Sequence, residues 1–531
     1  MEINYISHST TGFFSKLIED YLADAVELKA FYQFPPNEEG LKEAILARSR
    51  CPVNREVLVD CLKKQYEGLT LPDAVSRNIE ALKNENTFTV CTAHQPNLMT
   101  GYLYFIYKII HAVKLAAFLK EQHPDKNFVP VFYMGSEDND LAELSVFRYE
   151  DTRYQWNTAQ KGAVGRMSTA DLFPLIELLK SKIGPPGEQA TLLKQIISEA
   201  YEGQTTIANA TRFMINAFLG AYGIVVLDAD DPALKRTFLS VMKEELLAPK
   251  AMDLVQQASE QLNKQYKAQA YARPVNLFYL KDDLRERIEY ANGQWKVLHT
   301  DIVWHNEQEL TAELEQHPER FSPNVILRGL YQETILPDVA FIGGGSEVAY
   351  WMQLKAVFEY YKIFYPVLVL RQSALWLGKK EAALQEKLGW SNEVIFRPEE
   401  NLIRQYVEQH AKHDVHFTTE RNAFTDITQK LKVKAKAVDP TLEAAAAAAI
   451  TKMEYQLERL EKKMLRAEKR NMADQIRQIE RFKTAVFPNH SLQERYDSFL
   501  SYYIQYGTSF FQELFDHTLP LGNRFLILKE R

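Results

Sequence analysis

The run TFTVCTAHQPNLMTGYLYFIYKIIHAVKLA, Thr87 to Ala116, decides the fold. An apolar, β-branched stretch breaks at Thr92-Ala93-His94-Gln95-Pro96-Asn97, and a longer apolar stretch follows. The first part is apolar at nearly every position rather than at alternate ones, which suits a strand covered on both faces, as in a parallel sheet flanked by helices. The second part predicts a helix from Tyr102 to Leu119. Four more runs have strand character and end in polar or glycine residues: NFVPVFYMGSEDND (127–140), YGIVVLDADD (222–231), DVAFIGGGSE (338–347) and IFYPVLVLRQS (363–373). Further helices are expected over Ala233 to Leu247 and Val348 to Tyr361. This alternation predicts an open, doubly wound α/β core, in which ligands bind outside the carboxyl ends of the strands. Those are the ends where the polar clusters sit.

The core is expected to be discontinuous. Residues 1–150, 216–247 and 323–378 supply it. Residues 151–215 read as an inserted hairpin with helices, and 248–322 as an inserted helix with a small antiparallel sheet turning at Ala291-Asn292-Gly293. Residues 379–531 form a helical domain. Past Asp439-Pro440 the composition shifts to Ala, Glu, Lys, Arg and Leu, and Met453, Leu457, Leu460 and Met464 recur in steps of four and three, a coiled-coil seam. The phase slips before Met472, where the seam is expected to bend. The partner is an antiparallel helix of the same chain or the same helix of a second subunit, and dimerisation is the favoured expectation.

With 531 residues the chain exceeds one ordinary core. A net charge of -7 with 25% charged residues points to neither nucleic acid nor an anionic membrane surface. The opening residues lack a basic region ahead of an apolar core, and no apolar run reaches about 18 residues, so neither a signal peptide nor a membrane span is expected. The expected location is cytoplasmic. Cys51, Cys61 and Cys91 are too few for a disulfide framework and lack metal-ligand spacing. His410, His413 and His416 stand three apart, but no Cys or well-placed carboxylate completes a site, so no metal centre is expected.

Four clusters carry candidate chemistry. His94, Gln95 and Asn97 precede a helix start, with Thr100 as its candidate N-cap, and such a start favours a phosphate or carboxylate. A helix-capping connection is the equal alternative. Glu137, Asp138 and Asp140 follow the second strand, where carboxylates hold an ammonium group, hydroxyls or Mg²⁺, or act as a base; a solvated acidic turn competes. Gly343, Gly344 and Gly345 let backbone approach a ligand, with Ser346 and Glu347 opening a helix, although this is neither a P-loop nor a dinucleotide fingerprint. Arg328 and Gln332 share a helix face, Arg328 being either an anion clamp or a structural ion-pair partner.

Together TAHQPNLMTGYLYFIYKIIHAVKLA, VPVFYMGSEDND, ILPDVAFIGGGSEVAYWMQLKAVFEYY and LQERYDSFLSYYIQYG (Leu492 to Gly507) resemble, in order along nearly the whole chain, the cysteine-adding BshC family of bacillithiol biosynthesis. The resemblance implies a Rossmann-like core related in layout to class I aminoacyl-tRNA synthetases, with a coiled-coil domain that mediates homodimers. It implies a ligase joining L-cysteine through an amide to the amine of glucosaminyl-malate. ATP or another nucleotide, with magnesium, would activate the cysteine carboxylate as an adenylate or phosphate. His94, Gln95 and Asn97 then take the phosphate-loop position, Glu137 or Asp138 accepts or orients the amine proton, and Arg328 binds the malyl carboxylates. The chain departs from the family pattern inside the presumed site. Ala93-His94-Gln95-Pro96-Asn97 replaces Gly-Gln-Gln-Pro-Gly, Asn139 replaces a histidine, and Gly345-Ser346 replaces Pro-Gly. The alternatives are another amide-forming ligase or nucleotidyltransferase on the same scaffold, and a non-enzymatic coiled-coil assembly protein.

Overall fold

The structure, a computed structural model, describes residues 1–184, 186–411 and 417–531; His413 and His416 lie outside the described residues. The chain forms two compact units, one of residues 2–376 and 491–528, the other of residues 377–490 with residue 1 and residues 529–531. Residues 491–528, read above as part of the helical domain, therefore belong to the first unit.

The first unit is built on five strands: β1 (Thr87–His94), β2 (Asn127–Met134), β3 (Val225–Asp228), β4 (Asp338–Gly343) and β5 (Val367–Leu370). They lie in the order β3-β2-β1-β4-β5, every neighbouring pair parallel. The near-continuous apolar runs are explained by two cores, one on each face. Phe88, Val90, Ala340, Ile342, Val367 and Val369 join one buried cluster, while Cys91, Ala93, Phe341, Leu368 and Leu370 join the other. A strand alternates its side chains between faces, so a strand covered twice is apolar at nearly every position, and the buried Thr87, Thr89, Thr92 and Asp338 are each hydrogen-bonded.

The helix after β1, α1 (Leu103–Gln122), is likewise buried on most of its circumference: Ala112, Leu115 and Leu119 pack into one cluster, Phe105, Ile109 and Ile110 into the other. It starts three residues later than Thr100. Met99 and Thr100 take left-handed backbone (φ 52° and 63°) in a tight turn, and Tyr102 precedes the helix, so Thr100 is not its cap. The helix expected over Ala233 to Leu247 is two pieces, α2 (Pro232–Arg236) and Leu239–Leu247. That expected over Val348 to Tyr361 is α4 (Gly345–Met352) followed by Lys355–Tyr361. Between these last two, the Gln353 amide turns inward and accepts the backbone N–H groups of Gln269 and Ala270 at 2.8 and 2.9 Å. Arg328 and Gln332 lie on α3 (Arg328–Ile335), ahead of β4.

The hairpin expected in the first insertion is Val146–Tyr149 against Thr152–Gln155, so its first strand lies ahead of residue 151, in the stretch read as core. The second insertion contains a helix (Ala251–Leu262) and a five-stranded antiparallel sheet, with Asn292 and Gly293 (φ 55° and 81°) turning its hairpin.

In the second unit α5 (Thr418–Val438) and α6 (Leu442–Asn471) form an antiparallel pair. The direction is set by ion pairs at both ends, Arg421 with Glu461 (2.7 Å) and Lys436 with Glu443 (2.8 Å). The helix α6 thus has a partner in its own chain, while its seam residues Met453 and Leu460 stay exposed. The slip before Met472 is a break: α6 ends at Asn471 and α7 (Ala473–Val486) begins, its Ile479 packing with Leu402, Ile403 and Val407.

Candidate active site

The strand order reverses between β1 and β4, and the registers put the carboxyl ends in one row: Leu370 beside Gly343, His94 beside Met134, Met134 beside Asp228. Outside that row opens a cavity of about 420 Å³. Its place is the switch point at which doubly wound sheets take their ligands.

β1 contributes His94 and Gln95. The His94 ring is stacked on Tyr104 with centroids 5.3 Å apart. Its Nδ1 lies 2.5 Å from Gln95 Oε1 and its Nε2 3.1 Å from the Tyr104 hydroxyl. Burial, then the nearby Lys108 charge, push this imidazole down to about 3, so it is a neutral hydrogen-bonding group at any working pH. Gln95 Nε2 donates to Asp138 Oδ2 at 3.0 Å, tying the β1 loop to the β2 loop.

β2 contributes Glu137 and Asp138. Glu137 is ion-paired to Lys235 of α2, a lysine 1% exposed that also meets Asp230 at 3.2 Å. Burial raises the Glu137 carboxyl, and the Lys235 charge opposes the rise without cancelling it. Asp138 accepts the Asn139 backbone N–H (2.7 Å) and stands 3.6 Å from Arg285, which the inserted sheet projects into the cavity. Arg285 also donates to Asn139 Oδ1 at 3.0 Å and lies over the Phe278 ring.

β4 contributes the start of α4. Gly344, Gly345, Ser346 and Glu347 line the cavity, and Glu347 Oε2 accepts the Gly344 N–H at 2.8 Å, closing the helix start upon itself. The same carboxylate pairs with Lys108, which is 4% exposed and donates to the Ala93 carbonyl at 2.9 Å. Burial alone would raise Glu347, but Lys108 outweighs it and the net shift is downward; burial likewise lowers Lys108 against the pull of Glu347. The two remain an ion pair.

Arg328 is the cavity's reserve of positive charge. It donates to the Tyr350 hydroxyl at 2.9 Å and to Gln332 Oε1 at 3.2 Å, and lies over Tyr133. Among the described residues no carboxylate stands within ion-pair distance of it. Arg371, just past β5, is committed instead to Glu494 at 2.5 Å. Arg495 completes the lining.

Of the residues read from sequence, His94, Gln95, Glu137, Asp138, Arg328, Gly344, Gly345, Ser346 and Glu347 are brought together here. Asn97, Thr100, Gln332 and Gly343 are not among the lining residues. Asn97 is 2% exposed and packs against Gly101, where an added Cβ would stand 3.0 Å from its own. Gln332 is buried and donates to Glu333 and Asp338. Sequence reasoning missed Tyr104, Lys108, Arg285, Tyr350 and Arg371. Lys108 left a signal, a cation set among apolar residues in the first two turns of α1, and so did Arg371, a cation directly after a strand. Arg285 sits among three other charged residues of an alternating strand and left none. Among the described residues no group of three or more His, Cys, Asp or Glu could hold a metal ion, and no helix is long and apolar enough to cross a membrane.

The profile of the N-terminal Rossmann-like domain of bacillithiol biosynthesis BshC matches residues 1–372, and that of the C-terminal coiled-coil domain of BshC matches 374–530. A relative from Flavobacterium johnsoniae, named "Putative cysteine ligase BshC", is 39% identical over 99% of this chain and 100% of its own. One of the same name from Flavobacterium psychrophilum is 38% identical over the whole of both chains, and one from Bacillus cytotoxicus 27% identical over 97% of each.

Proposed function

The chain belongs to the BshC family of bacillithiol biosynthesis, and from that premise we propose that it is a cysteine ligase acting in the cavity between β1 and β4. The proposed reaction joins the carboxylate of L-cysteine to the amine of glucosaminyl-malate. A carboxylate does not condense with an amine unaided in water, so a nucleotide triphosphate supplies the activation by converting the carboxylate oxygen into a phosphate-bearing leaving group.

The observation that carries the reading is the arrangement of charge. Arg328, with no carboxylate within ion-pair distance among the described residues, donates to the hydroxyl of Tyr350 on α4 and is placed to hold the anion that develops on the activated carboxyl group. The neutral His94, fixed by Gln95 and Tyr104, offers a hydrogen bond without adding charge. On the β2 side Asp138 and Glu137 hold the incoming amine. Amine attack forms the C–N bond, breaks the bond to the leaving oxygen and sheds a proton. Asp138, restrained by Gln95 and Arg285, is the group we assign to take it. The described residues assign no metal to protein ligands, so magnesium enters this reading only with the nucleotide's phosphates.

The hairpin of α5 and α6 is the proposed homodimer contact, because pairing within the chain leaves apolar residues open: Met453 and Leu460 are each 48% exposed, as are Ile427 and Val433 by 54% and 61%. The whole reading is tested by incubating purified protein with cysteine, glucosaminyl-malate, ATP and magnesium and following the amide product by mass. Product dependent on all three substrates is expected. No product under any nucleotide, with bacillithiol unchanged in cells lacking the protein, would remove the assignment.

A further inference from the structure

A second cavity, of about 460 Å³, adjoins the first, and Arg285 lines both. Lys161, Asn139, Gly162 and Glu286 are among the other residues around it. On the ligase reading above, the acceptor carries a dicarboxylate away from its reacting amine, and a cavity that continues from the first past Arg285 is placed to receive it.

The charges around it suit that end of the acceptor. Arg285 is held by Asn139 Oδ1 and the Phe278 ring, with Asp138 at 3.6 Å, and its Nε is a buried donor with no hydrogen-bond partner. Lys161, an exposed residue, lines the second cavity and not the first. Of the acidic groups there, Glu286 is engaged by His299 at 3.2 Å, and Asp283 is exposed. Gly162 (φ +84°) lets the loop that carries Lys161 press against the inserted sheet, where a Cβ would stand 2.8 Å from the Asp282 carbonyl oxygen. The second cavity is thus a fixed space between the two inserted segments, with one buried and one exposed cation.

We propose that this cavity is the acceptor subsite: it takes the dicarboxylate end of an amino-sugar glycoside, held by Arg285 and Lys161, while the amine stays in the first cavity beside Asp138. This rests on the ligase reading and reassigns the acceptor's carboxylates from Arg328 to Arg285, leaving Arg328 for the reacting group. Arg285 is then a specificity-determining residue at the boundary of donor and acceptor.

Titration calorimetry with glucosaminyl-malate tests it without turnover, on wild type, Arg285→Gln and Lys161→Glu, the last an exposed change that leaves folding intact. Each variant is expected to bind about tenfold or more weakly, because each loses an ionic hydrogen bond to a carboxylate. In wild type, methyl glucosaminide, which lacks the carboxylates, is expected to bind far more weakly than the full acceptor, and Arg285→Gln should erase most of that difference. Unchanged affinity in Lys161→Glu, undiminished discrimination in Arg285→Gln, or no binding of the acceptor to wild type would overturn the subsite. Tight, variant-sensitive binding with no amide product would instead keep the subsite and sink the ligase.

Discussion

His94 contributes as a neutral ring, so its removal and its titration should give different results. His94→Ala is expected to lower kcat/KM by about 10²-fold through loss of an oriented hydrogen bond near developing charge. No limb of the pH–rate profile between pH 6 and 8 should belong to it, since burial and Lys108 hold its titration near 3. A limb in that range that vanishes in His94→Gln would contradict the assignment. For Glu137 and Asp138 the parameters separate the roles. Asp138→Asn should depress kcat by about 10²-fold or more if Asp138 takes the proton, whereas a group that only holds the amine would raise KM with kcat preserved. Lys235 supports Glu137 and Asp230 from behind and does not itself line the cavity. Lys235→Met strands the Glu137 carboxylate, whereas Asp230 keeps Arg166 at 2.6 Å, and should cost about 3–5 kcal/mol of stability in urea unfolding. Adding Glu137→Gln should return part of that loss.

At the scale of elements, the hairpin of α5 and α6 carries the most direct test. Its exposed ion pairs set direction but contribute little, typically under about 1 kcal/mol each. The open residues on α6 are therefore what should hold two chains together. Met453→Glu with Leu460→Glu is expected to turn a dimer into a monomer by light scattering while the helical circular dichroism is retained, because neither side chain is buried within the hairpin. A wild-type protein already monomeric at micromolar concentration would show that this face is simply solvated. The elements also show where sequence was readable. β1, β2, β4 and β5 announced themselves because two-sided burial leaves few polar positions. The turn of Met99 and Thr100 did not, because left-handed backbone at non-glycine residues is chosen by surrounding packing and leaves no local mark. Hence the loop's His94 was legible as a cavity residue, while Asn97, three positions on, turned under the chain.

At the scale of the whole molecule, stability should depend on pH through buried imidazoles. Burial depresses His8 and His111 to about 4 against an ordinary 6.5. Between those values the unfolded chain binds more protons, so their contribution is complete above about pH 6.5 and is lost as the pH falls towards 4. His111 is held on both nitrogens, donating to the Pro520 carbonyl (2.8 Å) and accepting the Gln372 N–H (3.0 Å), so protonation breaks the second bond. The imidazole share of the denaturant midpoint should fall from pH 6.5 to 4.5, against the opposite pull of Glu245, Asp338 and Asp497, whose carboxyls burial raises to about 7, 6 and 6. His8→Phe, a ring packed edge-on to Phe14, should flatten part of that slope. The doubly wound core, its two insertions and the helical region were legible because each has its own periodicity and punctuation. What could not be read was that residues 491–528 return to the core, or that α6 finds its partner in its own chain, since long-range pairing has no local signature.

That return bears on how the protein is made. A ribosome emits Arg371 long before Glu494, and the whole of residues 377–490 passes between them. Until the later segment emerges, a guanidinium destined for burial has no counter-charge, and the floor beneath β5 cannot close. The helical unit, by contrast, depends on nothing still inside the exit tunnel except its own last residues. Nascent chains stalled when residue 490 has just cleared the exit tunnel should accordingly display a protease-resistant helical unit and a core that proteases still cut, with resistance of the core arriving only when the final 40 or so residues are released.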